Sequence, residues 1–146
     1  MTKQLKGSEI AQQLTEQFPE AVIQSDATTV LVKAESLFQV ASFLNSTPGL
    51  DFDLLECLTG VDYLDYFEVV YHLISISNNH SLILKTRCYG RENPQVPSVT
   101  SIWQGANFQE RETYDLMGIS FEGHPDLRRI YLWDGFPGHP LRRDYL

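Results

Sequence analysis

Residues 107–118 read NFQERETYDLMG, and they predict a short helix with a marked beginning and a marked end. Asn107 is a residue type that accepts hydrogen bonds from the free amides of a first helical turn. Glu110 follows three residues later, where a carboxylate reaches back to complete a capping box. Gly118 supplies the left-handed residue that stops a helix. We therefore expect a helix of about ten residues that begins after Asn107 and ends at Gly118.

Glu112 is the unusual residue of this predicted helix. Residues four apart share a helical face, so Phe108, Glu112 and Leu116 form one stripe, and Arg111 and Asp115 lie on the neighbouring one. A carboxylate between two apolar neighbours is expected to be partly buried, and a buried charge requires a partner. The nearest cations later in the chain are Arg128, Arg129, Arg142 and Arg143. The sequence predicts that Glu112 pairs with Arg128 or Arg129 and leaves open which.

Residues 119–146 follow no helical or strand period. They contain three prolines, three glycines, five aromatic residues and four arginines. A compact domain rarely keeps so long an irregular segment, yet the composition is not that of a disordered one. Aromatic residues and arginine carry most of the energy of protein interfaces. We therefore divide the chain into a body at residues 1–118 and an extended tail at residues 119–146, which docks on a partner and is mobile without it.

The rest of the chain predicts an α+β body. The apolar patterns give, in order, a helix that begins at Ser8, a hairpin over residues 22–32, a helix over residues 37–44, strands over residues 52–61, 67–76 and 81–88, and a short helix that begins at Ser98. The pair Asn78-Asn79 tolerates positive φ and predicts an antiparallel hairpin between the last two strands. The fold class is thus α+β, a largely antiparallel sheet with helices packed on one face, followed by the long irregular C-terminal docking tail.

The charge distribution excludes one class of partner. The formal net charge is −8, and residues 1–118 hold 15 acidic and 7 basic residues, whereas residues 119–146 hold 4 of each. Nucleic-acid binding requires clustered Lys and Arg, so no nucleic-acid partner is expected. The chain shows no apolar leader near Met1 and no apolar run near the ~20 residues of a membrane span, which predicts a soluble, non-exported protein.

The candidate catalytic and metal-binding residues do not assemble into a site. Glu110 and Glu112 lie two residues apart on a helix, which directs their side chains roughly 200° apart, so they cannot flank one bond as an acid and a base. His124 and His139 lack further ligands at suitable spacing, and Cys57 and Cys88 form no metal motif or disulfide framework. We expect no cofactor in this chain. Two alternatives stay open: a free-standing α+β hydrolase or ligand-binding domain, which needs a pocket of convergent titratable groups, and a regulatory interaction module.

A family resemblance is carried by the second half of the chain. The matching residues are Glu110-Arg111-Glu112, Asp115-Leu116-Met117, His124, Arg128, Ile130 and Tyr131, preceded by Asn93-Pro94, Val96-Pro97-Ser98-Val99 and Trp103, and followed by Phe136-Pro137-Gly138 and Pro140-Leu141-Arg142-Arg143-Asp144-Tyr145. At these spacings the sequence closely resembles the 30-kilodalton-type subunit of respiratory complex I, the proton-translocating NADH:quinone oxidoreductase. Upstream of about Cys57 the resemblance is only general.

The resemblance implies a role without chemistry of its own. The 30-kilodalton-type subunit is a structural and assembly component of the peripheral arm, and the iron-sulfur clusters, FMN and quinone of the complex belong to partner subunits. The resemblance implies that the tail docks on the large quinone-site subunit, beside the terminal-cluster subunit, through Glu110, Arg111, Glu112, Asp115, His124, Arg128, Arg129, Arg142 and Arg143. It places the protein peripherally, on the cytoplasmic face of the bacterial inner membrane. Ferredoxin-dependent photosynthetic complexes and membrane-bound hydrogenases keep similar signatures and remain alternatives.

Overall fold

A computed structural model of the chain describes residues 2–145, so Met1 and Leu146, the latter part of the predicted tail, lie outside the described residues. The elements are β1 (Lys3–Gln4), α1 (Gly7–Gln17), β2 (Val22–Ser25), β3 (Thr29–Val32), a 3-10 turn (Ala34–Ser36), α2 (Leu37–Ser46), β4 (Leu54–Asp62), β5 (Phe67–Ser75), β6 (His80–Cys88), β7 (Gln95–Pro97), α3 (Ala106–Met117) and β8 (Ser120–Glu122). Within the described range, no helix is long and apolar enough to cross a membrane.

The main sheet has the strand order β2-β3-β6-β5-β4. The pairs β2–β3, β4–β5 and β5–β6 are antiparallel, whereas β3 and the two-residue β1 run parallel to β6. Asn79 has a φ of 54° in the turn between β5 and β6, which is the conformation that the Asn pair predicts. The α+β class, the two predicted hairpins and the largely antiparallel sheet are therefore confirmed.

The core lies against one face of this sheet. Along β5 the side chains alternate, with Phe67, Val69, Tyr71 and Leu73 fully buried and the residues between them mostly half-buried. A strand that is covered on one face gives this period of two. Helices α1 and α2 contribute to the same core through Ile10, Ala11, Leu14, Leu37, Val40, Ala41 and Leu44. The apolar stripes of both helices thus pack where the sequence predicts.

A small second sheet extends the body beyond its predicted end. β7 and β8 pair in parallel, with Val96 opposite Phe121, and the flanking Ser98 amide donates to the Glu122 carbonyl at 2.7 Å. Ile119 and Phe121 are buried in the core. The body therefore extends beyond the boundary predicted at residue 118, to the end of β8. The three residues of β8 are too few to show an alternating pattern in the sequence, and they form a strand because they pair with β7. The helix predicted from Ser98 is wrong, since hydrogen-bonded turns occupy residues 100–105.

Gly60 positions helix α3 over the sheet. It pairs with Val69 and so lies on the core face of β4. A Cβ atom at Gly60 would lie 2.9 Å from Thr113 Cγ2, closer than real Cβ contacts allow, and 3.2 Å from Ile119 Cδ1, closer than most of them. The absent side chain lets α3 and the segment after it approach the strand closely.

We predict that Gly60→Ala destabilises the protein by about 1–3 kcal/mol, because the added methyl group overpacks the contact between α3 and β4. The measurement is the free energy of unfolding in urea. Gly105→Ala is the matched control, because a Cβ atom there meets only the Leu55 carbonyl oxygen at 3.9 Å. Equal effects of the two substitutions would contradict the proposed role of Gly60.

Candidate functional site

Helix α3 does not begin as the sequence predicts. Gly105 occupies the N-cap without a side-chain hydrogen bond, and Asn107 lies inside the helix with its Oδ1 buried and unpartnered. Glu110 is fully buried, and its carboxylate accepts hydrogen bonds from Ser98 Oγ at 2.6 Å, Val99 N at 2.9 Å and Thr100 Oγ1 at 2.9 Å. The predicted capping box is therefore wrong, because Glu110 points into the protein and holds the 98–100 turn. The predicted end is confirmed, since Gly118 is left-handed with a φ of 76°.

The Glu110 side chain is surrounded by protein groups and does not contact solvent. Burial raises the pKa of Glu110, and the three hydrogen bonds oppose that effect. His124 Nε2 lies 4.0 Å from Glu110 Oε1, within reach of an ion pair if the ring is protonated. However, His124 Nδ1 accepts the Asp126 amide at 2.9 Å and Nε2 lies 3.2 Å from the Asn107 carbonyl oxygen. A ring that accepts at Nδ1 is the neutral tautomer, so we assign His124 as a neutral donor to Asn107 and not as an ion partner of Glu110.

Asp115 is the buried carboxylate that holds the tail. Its Oδ2 accepts three successive backbone amides, Ile130 at 3.1 Å, Tyr131 at 2.8 Å and Leu132 at 3.1 Å, and its Oδ1 accepts Arg129 Nη1 at 3.0 Å. Burial by itself would raise the pKa of Asp115, but the amides and the guanidinium outweigh burial and hold that pKa below its usual range. Asp115 is therefore an anion with four donors.

Arg129 extends this contact to a second part of the tail. Its Nη2 donates to the carbonyl oxygens of Phe136 and Gly138, both at 3.0 Å, while Nη1 also donates to the Asp115 carbonyl oxygen at 3.1 Å. A planar guanidinium with five donors can make such a set of bonds, and a lysine cannot. Arg129 thus joins α3 to residues 136–138.

The tail also supplies donors for the end of α3, where helical carbonyl groups lack partners. The carbonyl oxygens of four successive residues accept tail groups: Asp115 from His139 Nδ1 at 3.0 Å, Leu116 from Leu141 N at 2.9 Å, Met117 from Arg142 Nε at 2.6 Å, and Gly118 from Arg142 Nη2 at 3.4 Å. Arg142 additionally donates to the Arg91 carbonyl oxygen at 2.9 Å. Residues 139–142 therefore act as the cap of helix α3.

A second buried carboxylate, at Asp62, fixes residues 143 and 144 of the tail. Asp62 ends β4 and accepts Arg91 Nη1 and Nη2 at 2.8 and 2.7 Å, as well as the Arg143 amide at 2.8 Å. Arg91 Nε in turn contacts Asp144 Oδ2 at 3.0 Å. The bidentate Arg91 contact is the main reason that the pKa of Asp62 lies well below its usual range. Neither Asp62 nor Arg91 is predicted from the sequence, where the only signal is an Asp just after a predicted strand.

The remaining predicted residues occupy other positions. Arg128 is exposed and contacts Asp126, and Arg111 donates to the carbonyl oxygens of Arg128 and Arg129 at 3.1 and 3.3 Å. Glu112 is half-buried and makes no hydrogen bond or ion pair among residues 2–145. The predicted pairing of Glu112 with Arg128 or Arg129 is therefore wrong. Glu112 is partly buried, as its apolar neighbours predict, but Phe108 of the same stripe is 65% exposed and no cation of the described residues pairs with the carboxylate.

The tail makes many contacts with its own body. The sequence predicts a tail that docks on a partner, but the bonds to Asp115, to the end of α3 and to Asp62 tie its residues 129–144 to the body of the same chain. The arrangement is that of a structural clamp, because Glu110, Asp115 and Asp62 are each buried and engaged by fixed donors. Among residues 2–145, no group of three His, Cys, Asp or Glu side chains could hold a metal ion.

We predict that Arg129→Ala destabilises the protein by about 3–5 kcal/mol, because it leaves the Asp115 carboxylate buried without its cation. Arg128→Ala, one residue earlier, should cost less than ~1 kcal/mol, since its pair with Asp126 is exposed. Urea unfolding measures both values, and hydrogen exchange at the amides of residues 130–132 should accelerate only in Arg129→Ala. Similar effects of the two changes would contradict the clamp.

A second prediction concerns pH. Because the pKa of Asp62 is lowered from its ordinary value of 3.8, its contribution to stability is present above that pH and is lost as the pH falls through the lower folded-state value. The difference in unfolding free energy between the wild type and Asp62→Asn should be constant near neutral pH and should shrink below pH 3.8. Asp65→Asn, at an exposed aspartate of the next turn, is the control. A difference that persists unchanged at a pH of about 2.5 would contradict an ionised Asp62.

Comparison with known proteins identifies the family. The family model described as "Respiratory-chain NADH dehydrogenase, 30 Kd subunit" matches residues 30–146. The corresponding NADH-quinone oxidoreductase subunit of Roseiflexus sp. (strain RS-1) is 44% identical over an alignment of 147 positions, which covers 96% of this chain and 84% of that protein. Its counterpart in Moorella thermoacetica is 41% identical over 138 residues, which cover 92% of this chain and 91% of the relative.

The fold comparison points the same way. A chain in the structure of the membrane-bound sulfane sulfur reductase, described as an archaeal respiratory membrane complex, matches with a TM-score of 0.76 and 26% identity, covering 94% of this chain and 84% of that one. Sequence and fold agree over most of the described residues. The chain therefore belongs to the family of the 30-kilodalton subunit of the respiratory-chain NADH dehydrogenase, whose bacterial members are named as subunits of NADH-quinone oxidoreductase.

Proposed function

We propose that this chain is a non-catalytic structural and assembly subunit of the peripheral arm of a proton-translocating NADH:quinone oxidoreductase. In this role the chain binds no flavin, cluster or quinone, and it supports electron transfer from NADH to quinone by holding neighbouring subunits in place. The isolated chain has no activity of its own. The names of its relatives support the complex, and the engaged state of the buried carboxylates supports a structural use of these residues.

The observation that carries the proposal is the contrast between the backbone and the side chains of the tail. The backbone is tied to α3 through Asp115, while large side chains point outward, with Tyr131 66% exposed and Trp133 65% exposed. Trp133 packs edge to face on Phe136, with the ring centroids 4.7 Å apart, so the two rings already contact each other without a partner. Preformed aromatic groups bind with little loss of side-chain entropy, which favours their use as interface anchors.

The exposed apolar surface continues onto neighbouring residues. Leu141 is 60% exposed at the end of α3, and Phe108 is exposed on the outward stripe of the same helix. We define the docking surface as these two residues together with Tyr131, Trp133 and Tyr145. Its proposed partners are the large quinone-site subunit and the terminal-cluster subunit, which hold the quinone and an iron-sulfur cluster, while FMN belongs to the NADH-oxidising part. The protein then lies on the cytoplasmic face of the inner membrane, in contact with it only through the complex.

A second candidate function has one specific observation in its favour. The archaeal relative in fold belongs to a sulfane sulfur reductase, a respiratory membrane complex with a different name and substrate. Under this second proposal the chain does not itself select the electron donor, so the same subunit would serve a ferredoxin-dependent photosynthetic complex or a membrane-bound hydrogenase. Membranes from the source cells distinguish these cases. NADH supports quinone reduction under the first proposal, whereas under the second reduced ferredoxin supports quinone reduction by a photosynthetic complex or hydrogen evolution by a hydrogenase.

We predict that the double change Tyr131→Ala and Trp133→Ala lowers the amount of assembled complex strongly. Loss of two interface anchors at about 2 kcal/mol each corresponds to a weakening of binding by roughly three orders of magnitude. The measurement is the amount of the chain in the membrane complex on native gels, together with NADH:quinone reductase activity of the membranes.

Ile76→Ala is the matched control, because Ile76 is equally exposed at 66% but lies in the turn between β5 and β6. Both variants should unfold at the wild-type urea concentration. Normal assembly of the double variant would contradict the docking surface, and a folded wild-type chain that never joins a membrane complex would contradict the proposed function itself.

A further inference from the structure

A small cavity lies between helix α3 and strand β4, beside the docking surface. Its volume is about 160 Å³, below the roughly 300 Å³ and more of pockets that hold small molecules or cofactors. It is lined by Leu58, Thr59, Gly60, Glu112, Thr113, Leu116, Met117 and Leu141. The volume is of a size for one long side chain.

Glu112 is the charged residue that lines this cavity. Among the acidic residues of α3, it is the one whose carboxylate has no partner in the described part of the chain. The other two acidic residues of the helix, Glu110 and Asp115, are engaged by three and four donors within the chain. Glu112 makes no such contact among residues 2–145, although it is half-buried against apolar side chains. A half-buried carboxylate beside apolar side chains is stabilised best by a lysine or arginine, because the charged end pairs with the carboxylate while the apolar stem packs on the neighbouring side chains.

We propose that this cavity receives a lysine or arginine side chain from the subunit on which the tail docks. The stem of that side chain packs along Leu58, Leu116 and Leu141, and its charged end pairs with Glu112. The pair becomes desolvated as the interface closes, so it fixes the register of docking as well as adding affinity. This inference rests on the proposed docking of the tail, because Leu141 belongs both to the docking surface and to the cavity wall.

The occupant is argued from charge and from position. The lining residues other than Glu112 carry no charge, so an apolar stem is accommodated and a second acidic group is not. Three arginines of the tail are already used within the chain: Arg129 by Asp115, Arg142 by the end of α3, and Arg128 by Asp126. The side chain of the fourth, Arg143, is exposed and makes no ion pair with Glu112 among residues 2–145. A cation from the partner is therefore the occupant that satisfies Glu112 without breaking the clamp.

The first arm of the test measures the strength of docking. Membranes that contain the assembled complex are washed with increasing NaCl, and the chain that remains bound is quantified. We expect Glu112→Gln to weaken retention, equivalent to about tenfold in affinity, and to make retention less sensitive to salt. Glu56→Gln, at an exposed glutamate of β4 that makes no ion pair in the described range, should behave as wild type. Identical retention of the two variants would overturn the proposal.

The second arm identifies the occupant. A photo-crosslinking amino acid at position 116, in the cavity wall, should capture a partner segment that contains a lysine or arginine, whereas the same group at position 76 should not. Exchange of the charges, with Glu112→Arg in this chain and glutamate at the captured basic residue, should restore retention. Capture of a segment without a basic residue, or of Arg143 of this chain, overturns the inference. Absence of the wild-type chain from washed membranes at low salt would instead contradict the proposed function.

Discussion

The carboxylate of Asp115 is the contact on which the C-terminal third of the structure depends. It binds three consecutive backbone amides and one guanidinium while fully removed from water. A segment without helix or strand must find partners for its own amides elsewhere, and one anion can serve several of them at once. Residues 119–145 therefore have a defined path although they form only one three-residue strand. Arg129 and Arg142 also hold this path. Arg129 donates to the carbonyl oxygens of Phe136 and Gly138, and Arg142 donates to those of Met117 and Arg91, which have no partner within a helix or strand.

The three anchors share a physical logic. Each of Glu110, Asp115 and Asp62 joins a regular element, α3 or β4, to an irregular segment: the 98–100 turn, the 129–132 segment or residues 143–144. Exposing a buried ionised group without its partners carries a large free-energy cost, so each anchor resists rearrangement more than an apolar contact of similar size. Such rigidity suits a subunit whose surface must be presented in one arrangement to its neighbours. It also gives a reason for the many charged residues in a part of the chain to which we assign no chemistry.

The sequence predicted the sheet, its hairpins and the two N-terminal helices well, because these depend on local apolar periods and on the turn at Asn78-Asn79. It failed where tertiary contacts decide. Glu110 has the spacing of a cap, yet its carboxylate is buried and accepts hydrogen bonds from the Ser98 and Thr100 hydroxyls. Glu112 is half-buried, as its neighbours predict, yet no cation of the described residues pairs with it. The Asp62–Arg91 contact joins residues 29 apart, and no local pattern in either segment indicates it. The family signature contains Glu110, Asp115 and Arg142 without giving their partners, since a motif records residue types and not contacts.

Residues 143 and 144 contact residues that lie far from them in the sequence, and this affects the order of folding. Arg143 reaches Asp62 across 81 positions and Asp144 reaches Arg91 across 53. Contacts of such high sequence separation carry a large loop-closure cost and form only after the elements that bear them are in place. The tail also follows all the strands of the main sheet in the chain, so it leaves the ribosome after them. We therefore expect the exposed residues Tyr131 and Trp133 to reach their final positions in the last step of folding. A neighbouring subunit would then bind them only on a chain whose sheet and helices are already folded.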